Sequence, residues 1–299
     1  MGCCCSKNNY EEDGHIRFRV IDGRRYHNIS NSEYFVANDG EEADRLRRYH
    51  DALKTIWGGL FHSPIEEKLK KGARVIDLGC GTGTWLLDMS RHYPKSHFIG
   101  IDFSPIFPTE NLPPNVEFIQ YNILDGLPFT DSNFDFVHQK FMVAAFTQAQ
   151  WKEKVIPECL RLTRPGGWIE FVESDAILMS DGNATQRIAN AIQSFMSSKG
   201  LNHKIGEDIP RLLEITDAFT EIRNKKKPVT LGKKGGRPGQ ETLIFLTRGM
   251  NTIRVWLSGA MNIMPEHYDA LVEAISFEAE KTHTYVNQYR ICGRKKDRI

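Results

Sequence analysis

Three glycines at spacing two follow a short apolar run: Val75, Ile76 and Leu78, interrupted by Asp77, lead into Gly79, Gly81 and Gly83. Glycine has no Cβ and tolerates positive φ, so such a turn lets the backbone approach a ligand closely. Trp85, Leu86, Met89 and Tyr93 then recur at helical spacing. The stretch 74–85 reads as a buried strand, a glycine turn and a helix. A second apolar run, 98–102, ends in Asp102, nineteen residues past Gly83. An acid at about that distance accepts from ribose hydroxyls in nucleotide-binding βαβ units.

The glycine spacing selects among ligands of that type. The dinucleotide fingerprint G-x-G-x-x-G puts its third glycine three residues past the second. Counted from Gly79 and Gly81 that position is Thr84, and counted from Gly81 and Gly83 it is Leu86. A nicotinamide-dependent oxidoreductase is therefore disfavoured. The pattern is instead Asp77-x-Gly79-x-Gly81-x-Gly83. A carboxylate just before the turn repels a phosphate and attracts an ammonium or sulfonium. That suits S-adenosylmethionine, which is cationic and has no phosphate. The plainer alternative is an ordinary tight loop with Asp102 as a cap.

The turn at 77–83 with Asp102 resembles that of the class I S-adenosylmethionine-dependent methyltransferases. The resemblance continues through Leu-Pro-Phe at 127–129, Asn-Phe-Asp-Phe-Val-His at 133–138 and Leu-Thr-Arg-Pro-Gly-Gly-Trp at 162–168. Upstream, Asn38, Glu41, Arg45, Leu46 and His50 are similar to the lead-in of the fungal subgroup that contains the LaeA-like regulators of secondary metabolism. The core of the likeness covers residues 34–175 and loosens beyond. It implies an α/β fold, a doubly wound, mostly parallel seven-stranded sheet of Rossmann-like type. It also implies a helical insertion after strand five and an antiparallel last strand, for which 285–292 is the candidate.

The implied reaction is methyl transfer from S-adenosylmethionine to an acceptor that is a small molecule, a lipid or a protein. The implied cofactor site has Asp77 and the backbone of Gly79, Gly81 and Gly83 at the methionine end, Asp102 at the ribose, and Asn122 with Ile123 at the adenine. The family places an acid where Asn122 stands. The amide keeps a carbonyl acceptor and loses the charge, and Asp125 is the nearest displaced acid. The same resemblance allows a regulator that binds the cofactor and acts through partner proteins with little turnover.

The elements around these residues follow from periodicity. Asn38 or Asp39 can cap a helix over 41–57 whose apolar face is Leu46, Tyr49, Leu53, Ile56 and Leu60. Arg45, Arg48 and His50 on that helix are either site-lining or solvated. Four prolines in 103–114 mark a loop where a crossover helix would otherwise run. Strands are expected at 116–121, 134–139 and 168–172, with a helix at 151–162 between the last two. Ligands of open parallel sheets sit beyond the carboxyl ends of the strands. His138 is thereby a candidate base, or a packing residue, and Glu173 and Asp175 are acids on the same edge. Helical patterns follow at 188–195, 243–257 and 268–277. Residues 223–237 hold seven basic residues and no acid, and with Gly232, Gly235, Gly236 and the following Gly239 read as a flexible basic loop.

A chain of 299 residues with 40% hydrophobic and 26% charged residues can bury one sizeable core. The formal net charge of +1 makes no electrostatic case for nucleic acid. The domain is expected over 34–293, between a flexible tail at 1–33 and a basic tail at 294–299. Cys80, Cys159 and Cys292 are scattered with no metal-type pairing, which fits a reducing cytosol. The first six residues, Met-Gly-Cys-Cys-Cys-Ser, match the N-myristoylation pattern at Gly2, with Cys3, Cys4 and Cys5 as palmitoylation sites. One myristoyl chain binds membrane marginally, so a second acyl chain would be needed to hold the protein on the cytosolic face of a membrane. A myristate analogue fed to cells should label the wild type and leave Gly2→Ala unlabelled; equal labelling would remove the anchor.

Overall fold

The computed structural model describes residues 10–13, 16–27 and 34–297. Gly2, Cys3, Cys4 and Cys5 lie outside them. Three short strands come first, β1 (Tyr10–Asp13), β2 (Ile16–Ile21) and β3 (Arg24–His27), paired antiparallel in that order. From the sequence, 16–20 reads as a short strand ending at an Asp22-Gly23 turn, within a tail expected to be flexible. Instead Phe18 and Tyr26 are buried, the Tyr26 hydroxyl donates to the Thr252 carbonyl, and the Arg19 guanidinium lies over the Trp256 ring. Single large aromatics between arginines supplied the anchoring that an alternation count undervalues.

Helix α1 (Gly40–Trp57) is capped by Asp39, which accepts from the Glu42 N–H, and stops at Gly58 in the left-handed region. The short α2 (Glu66–Lys71) leads into β4 (Arg74–Leu78), and α3 (Thr84–His92) starts directly after Gly83. Strands β5 (His97–Asp102) and β6 (Val116–Gln120) are joined by the proline-rich loop, without a helix. Then come β7 (Phe134–Lys140), a helical run made of α4 (Gln148–Gln150), a wider turn at Trp151–Val155 and α5 (Ile156–Leu162), and β8 (Thr163–Ser174). The remainder is α6 (Asn183–Ser198), α7 (Ile205–Ile215), β9 (Phe219–Thr230), α8 (Gly236–Thr252), α9 (Arg254–Ala260), α10 (Pro265–Lys281) and β10 (Tyr285–Lys295).

Strands β4 to β10 form one seven-stranded sheet in the order β6-β5-β4-β7-β8-β10-β9. Pairing is parallel from β6 to β8, and β10 runs antiparallel to both its neighbours. This is the doubly wound, mostly parallel sheet expected, with the antiparallel strand at 285–295. One face packs Val75, Phe98 and Phe136 against Leu69, Trp85 and Met89. The other packs Ile76, Val137 and Phe171 against Trp151, Ile205 and Ile209. A third core joins α6, α8, α9 and α10. The expected single helical insertion is thus split, two helices after β8 and three after β9.

Only 231–235 of the basic stretch connect elements as a loop would, between β9 and α8. Residues 223–230 belong to β9, the edge strand, registered on β10 from Phe219↔Lys295 to Thr230↔Tyr285. Lysines on an edge strand discourage pairing with another chain. Lys226 pairs with Glu207, and Lys227 donates to the Ile56 carbonyl over the Trp57 ring. Only the tertiary partner β10 makes a strand of such a polar run.

The N-terminal strands should contribute to stability. Tyr26→Phe should cost about 1 kcal/mol, the worth of one buried hydrogen bond. Tyr26→Ala should cost ~3–4 kcal/mol, the loss of a buried aromatic. Urea denaturation of both variants measures this; no effect in either would mean that the hairpin is not docked.

Candidate functional site

The carboxyl ends of β6, β5, β4 and β7 stand in a row in the sheet, and one cavity runs along them. It encloses about 1150 Å³, open solvent at its mouth included. Adjacent strands lie ~4.8 Å apart, so the four ends span about 14 Å. The lining passes from Tyr121, Asn122 and Ile123 after β6, to Asp102 ending β5, to Gly79 and Gly81 after β4, to Lys140 ending β7. Leu46, Tyr49 and Leu53 of α1, with Phe141 and Phe245, close the far wall. Tyr49 and Phe245 stack with centroids 4.0 Å apart.

Asp102 ties the turn to its surroundings. Its Oδ2 accepts from the Gly81 N–H at 2.7 Å, and its Oδ1 from the Ser104 N–H at 2.7 Å. Burial pushes its carboxyl up to about 6, while the two N–H donors oppose that rise. The Ser104 hydroxyl meets His27 Nε2 at 2.8 Å and accepts from Asn38 Nδ2. Burial pushes the His27 imidazole down to about 4, so it stays neutral there.

The three glycines divide the work. Gly79 and Gly81 line the cavity, with φ of +74° and +56°. A Cβ on Gly79 would stand 2.5 Å from the Met142 sulfur. Gly83 does not line the cavity. With φ +69° it starts α3, and a Cβ there would stand 2.3 Å from the Phe118 ring. Asn122 lines the cavity while its Oδ1 accepts from the Leu124 N–H, and one lone pair stays free. Asp125 is exposed and outside the lining.

Asp77 and His138 stand apart from the expectation. Neither lines the main cavity. Asp77 is 1% exposed, and its Oδ1 meets His138 Nδ1 at 2.7 Å. The His138 ring lies flat on Trp85 at 3.7 Å, and its Nε2 has no partner. These side chains share one sheet face because Asp77 and His138 are paired across β4 and β7. Of the other candidates, Glu173 is fully buried and accepts from the Met142 N–H, so it braces the segment after β7. Asp175 holds Asn287 and Tyr289. His50 is buried against Asp88, Arg45 pairs with Glu42, and Arg48 with Glu241. Sequence reasoning missed His27, Phe245 and Lys140. Lys140, as the last residue of the fourth parallel strand, was within reach of the strand-end rule. Among the described residues no group of three His, Cys, Asp or Glu side chains is placed to hold a metal ion.

A methyltransferase-domain family matches residues 75–167. The N-methyltransferase tcpN of Claviceps purpurea is 33% identical over 268 residues, 85% of this chain and 94% of that protein. The N-methyltransferase verN of Clonostachys rogersoniana is 35% identical over 144 residues, 47% of this chain and 50% of that protein. The secondary metabolism regulator laeA of Coprinopsis cinerea is 31% identical over 157 residues, 51% of this chain and 38% of that protein. The chain thus spans about half the length of verN. It belongs to the class I S-adenosylmethionine-dependent methyltransferases. The cavity fits the family's cofactor on its own terms. Bare glycine backbone, a carboxylate with free lone pairs and an amide oxygen follow one another over a length suited to an amino-acid nucleoside.

Glu173 supplies a test of this edge. Burial raises its carboxyl from 4.5 to about 8. Between those values the folded protein holds a proton that the unfolded chain has lost, so stability falls as pH rises. Relative to Glu173→Gln, which cannot ionise, the wild type should lose up to ~1.4 kcal/mol per pH unit across that window. Denaturant melts of both proteins over a pH series measure the difference; a flat difference would place Glu173 in a polar setting.

Proposed function

We propose that this protein transfers a methyl group from S-adenosylmethionine to a nitrogen of a small molecule. The row of Asn122, Asp102, Gly81 and Lys140 along a single cavity carries the reading. The name of tcpN, similar over nearly its whole length, supports the nitrogen. The cofactor, when bound, supplies an electrophilic methyl carbon on a sulfonium. Asp102 accepts from the ribose hydroxyls, Asn122 and the Ile123 backbone meet the adenine, and the Gly79–Gly81 backbone lies along the amino-acid end. The apolar wall of Leu46, Tyr49, Leu53, Phe141 and Phe245 keeps water from the acceptor, so an amine presents an unhydrated lone pair. Alignment supplies most of the rate, with no dedicated base required for a neutral amine.

A second reading is a cofactor-binding regulator that works through partner proteins, favoured by the likeness to laeA. N-terminal acylation at Gly2, Cys3, Cys4 and Cys5 would hold either kind of protein at a membrane, with a lipid acceptor then in reach.

Asp102→Ala should weaken S-adenosylhomocysteine binding by at least ~100-fold, as loss of a charged hydrogen-bonding group does, and should keep the fold. Unchanged affinity would remove the cofactor assignment. Wild type given methyl-labelled cofactor and a host extract should label a small amine. Label in the lipid extract would move the acceptor to the membrane. Binding without label would favour the regulator.

A further inference from the structure

Behind the main cavity, past the end of β7, lies a second and much smaller recess. Its polar lining includes His50, His138, Lys140 and Arg290, with the Trp85 ring beside them. No acid lines it. On the measure that gives the main cavity about 1150 Å³, it encloses about 260 Å³, open solvent included. Lys140 lines both the recess and the main cavity, so the two adjoin at this side chain.

The acids nearby are already engaged. Asp77 takes His138, and Asp88 takes His50 and Lys54. Glu170 accepts from Ser63 at 2.6 Å and from the His62 N–H. Arg290 approaches Glu170 only at 3.4 Å, and its Nε is left without a hydrogen bond. His138 Nε2 is likewise unpartnered on a side chain 1% exposed. Among the described residues no hydrogen bond or ion pair holds the Lys140 ammonium. Burial pushes Lys140 down from its ordinary value, with Asp77 opposing and Arg290 adding to the shift, and burial together with Lys140 pushes His50 down. Cations that face one another away from water, with no acid between them, gain from an anion placed there.

We propose that this recess is a carboxylate subsite in which Lys140 supplies the charge and His138, braced by Asp77, supplies the second donor. An imidazole protonated between Asp77 and an anion donates from both nitrogens. The carboxylate comes either from the amino-acid end of the cofactor or from the methyl acceptor. The first source rests on the function proposed above; the recess itself does not.

Three probes separate these cases in the full-length protein: S-adenosylhomocysteine, 5′-methylthioadenosine, which lacks the amino-acid carboxylate, and sodium formate. Trp85, stacked on His138, reports the recess by its emission, with Trp85→Phe as the control. Formate should change the emission saturably in the wild type and in Lys140→Arg, and not in Lys140→Met. Lys140→Met should keep its affinity for methylthioadenosine, which shows that it is folded. If that variant also binds S-adenosylhomocysteine on the order of tenfold more weakly, and the homocysteine compound displaces formate, the cofactor's carboxylate fills the recess. If formate still binds beside S-adenosylhomocysteine, the acceptor's carboxylate does. If formate binds and neither nucleoside does, the cofactor reading fails and the subsite stands. No formate response, together with unchanged S-adenosylhomocysteine affinity in Lys140→Met, overturns the proposal.

Discussion

The Asp102 carboxylate joins three parts of the chain, next to the Ile101 carbonyl that accepts from the Gly79 and Cys80 N–H groups. Through Oδ2 it fixes the Gly81 N–H of the turn after β4, and through Oδ1 the Ser104 N–H of the loop after β5. Ser104 then meets His27 of β3 and Asn38 ahead of α1. One acid at the end of a parallel strand therefore links the glycine turn, already held by the Ile101 carbonyl, to the N-terminal segment. Backbone N–H donors suit this task because they cannot rotate away. The same carboxylate keeps lone pairs free toward the cavity, so the group that organises the edge is also one that can hold a ligand.

Close packing beneath the turn explains why it tolerates only glycine. Gly83 lets the first turn of α3 lie on Phe118 of β6, and Gly100 on β5 leaves room for Leu86 and Phe118 together. A methyl group at either place would push the helix off the sheet and lift the turn from Asp102. The Met142 sulfur sits against Gly79 in the same way, and Glu173 holds the Met142 N–H from below. The turn is thus clamped between the segments that follow β5 and β7, and the cavity lies over it.

The polar groups on the opposite side of β7 obey a different rule. His138, Lys140 and Arg290 share a sheet face with Glu170, where most neighbours are aromatic or aliphatic. Buried charges are costly unless paired. His138 and Arg290 are held there by Asp77, Glu170, the Gly59 carbonyl and the flat faces of Trp85 and Trp57. Among these polar groups Lys140 has no such partner, and with Leu53 it lines both cavities. A fold that needed only stability would have placed an apolar side chain there.

Much of the central sheet, the glycine turn and the acid that ends β5 were legible in the chain alone. Each is local: an apolar run, a glycine triplet and an acid one strand later, with spacing that excludes the dinucleotide pattern. The family resemblance, and no alternation in its own residues, pointed to the closing antiparallel strand at Tyr285–Lys295. Tertiary structure decided the rest, because the partners lie far apart in the chain. Asp77 turns from the expected ligand to His138, sixty-one residues away. The hairpin of β2 and β3 docks through Tyr26 on Thr252, a separation of 226 residues. A lysine-rich run becomes an edge strand only because β10 offers it a ladder. A parallel sheet brings its carboxyl ends to one edge, so Asn122, Asp102, Gly81 and Lys140 become neighbours in an order the chain does not spell. Strand order in space, and not spacing in sequence, made them a site.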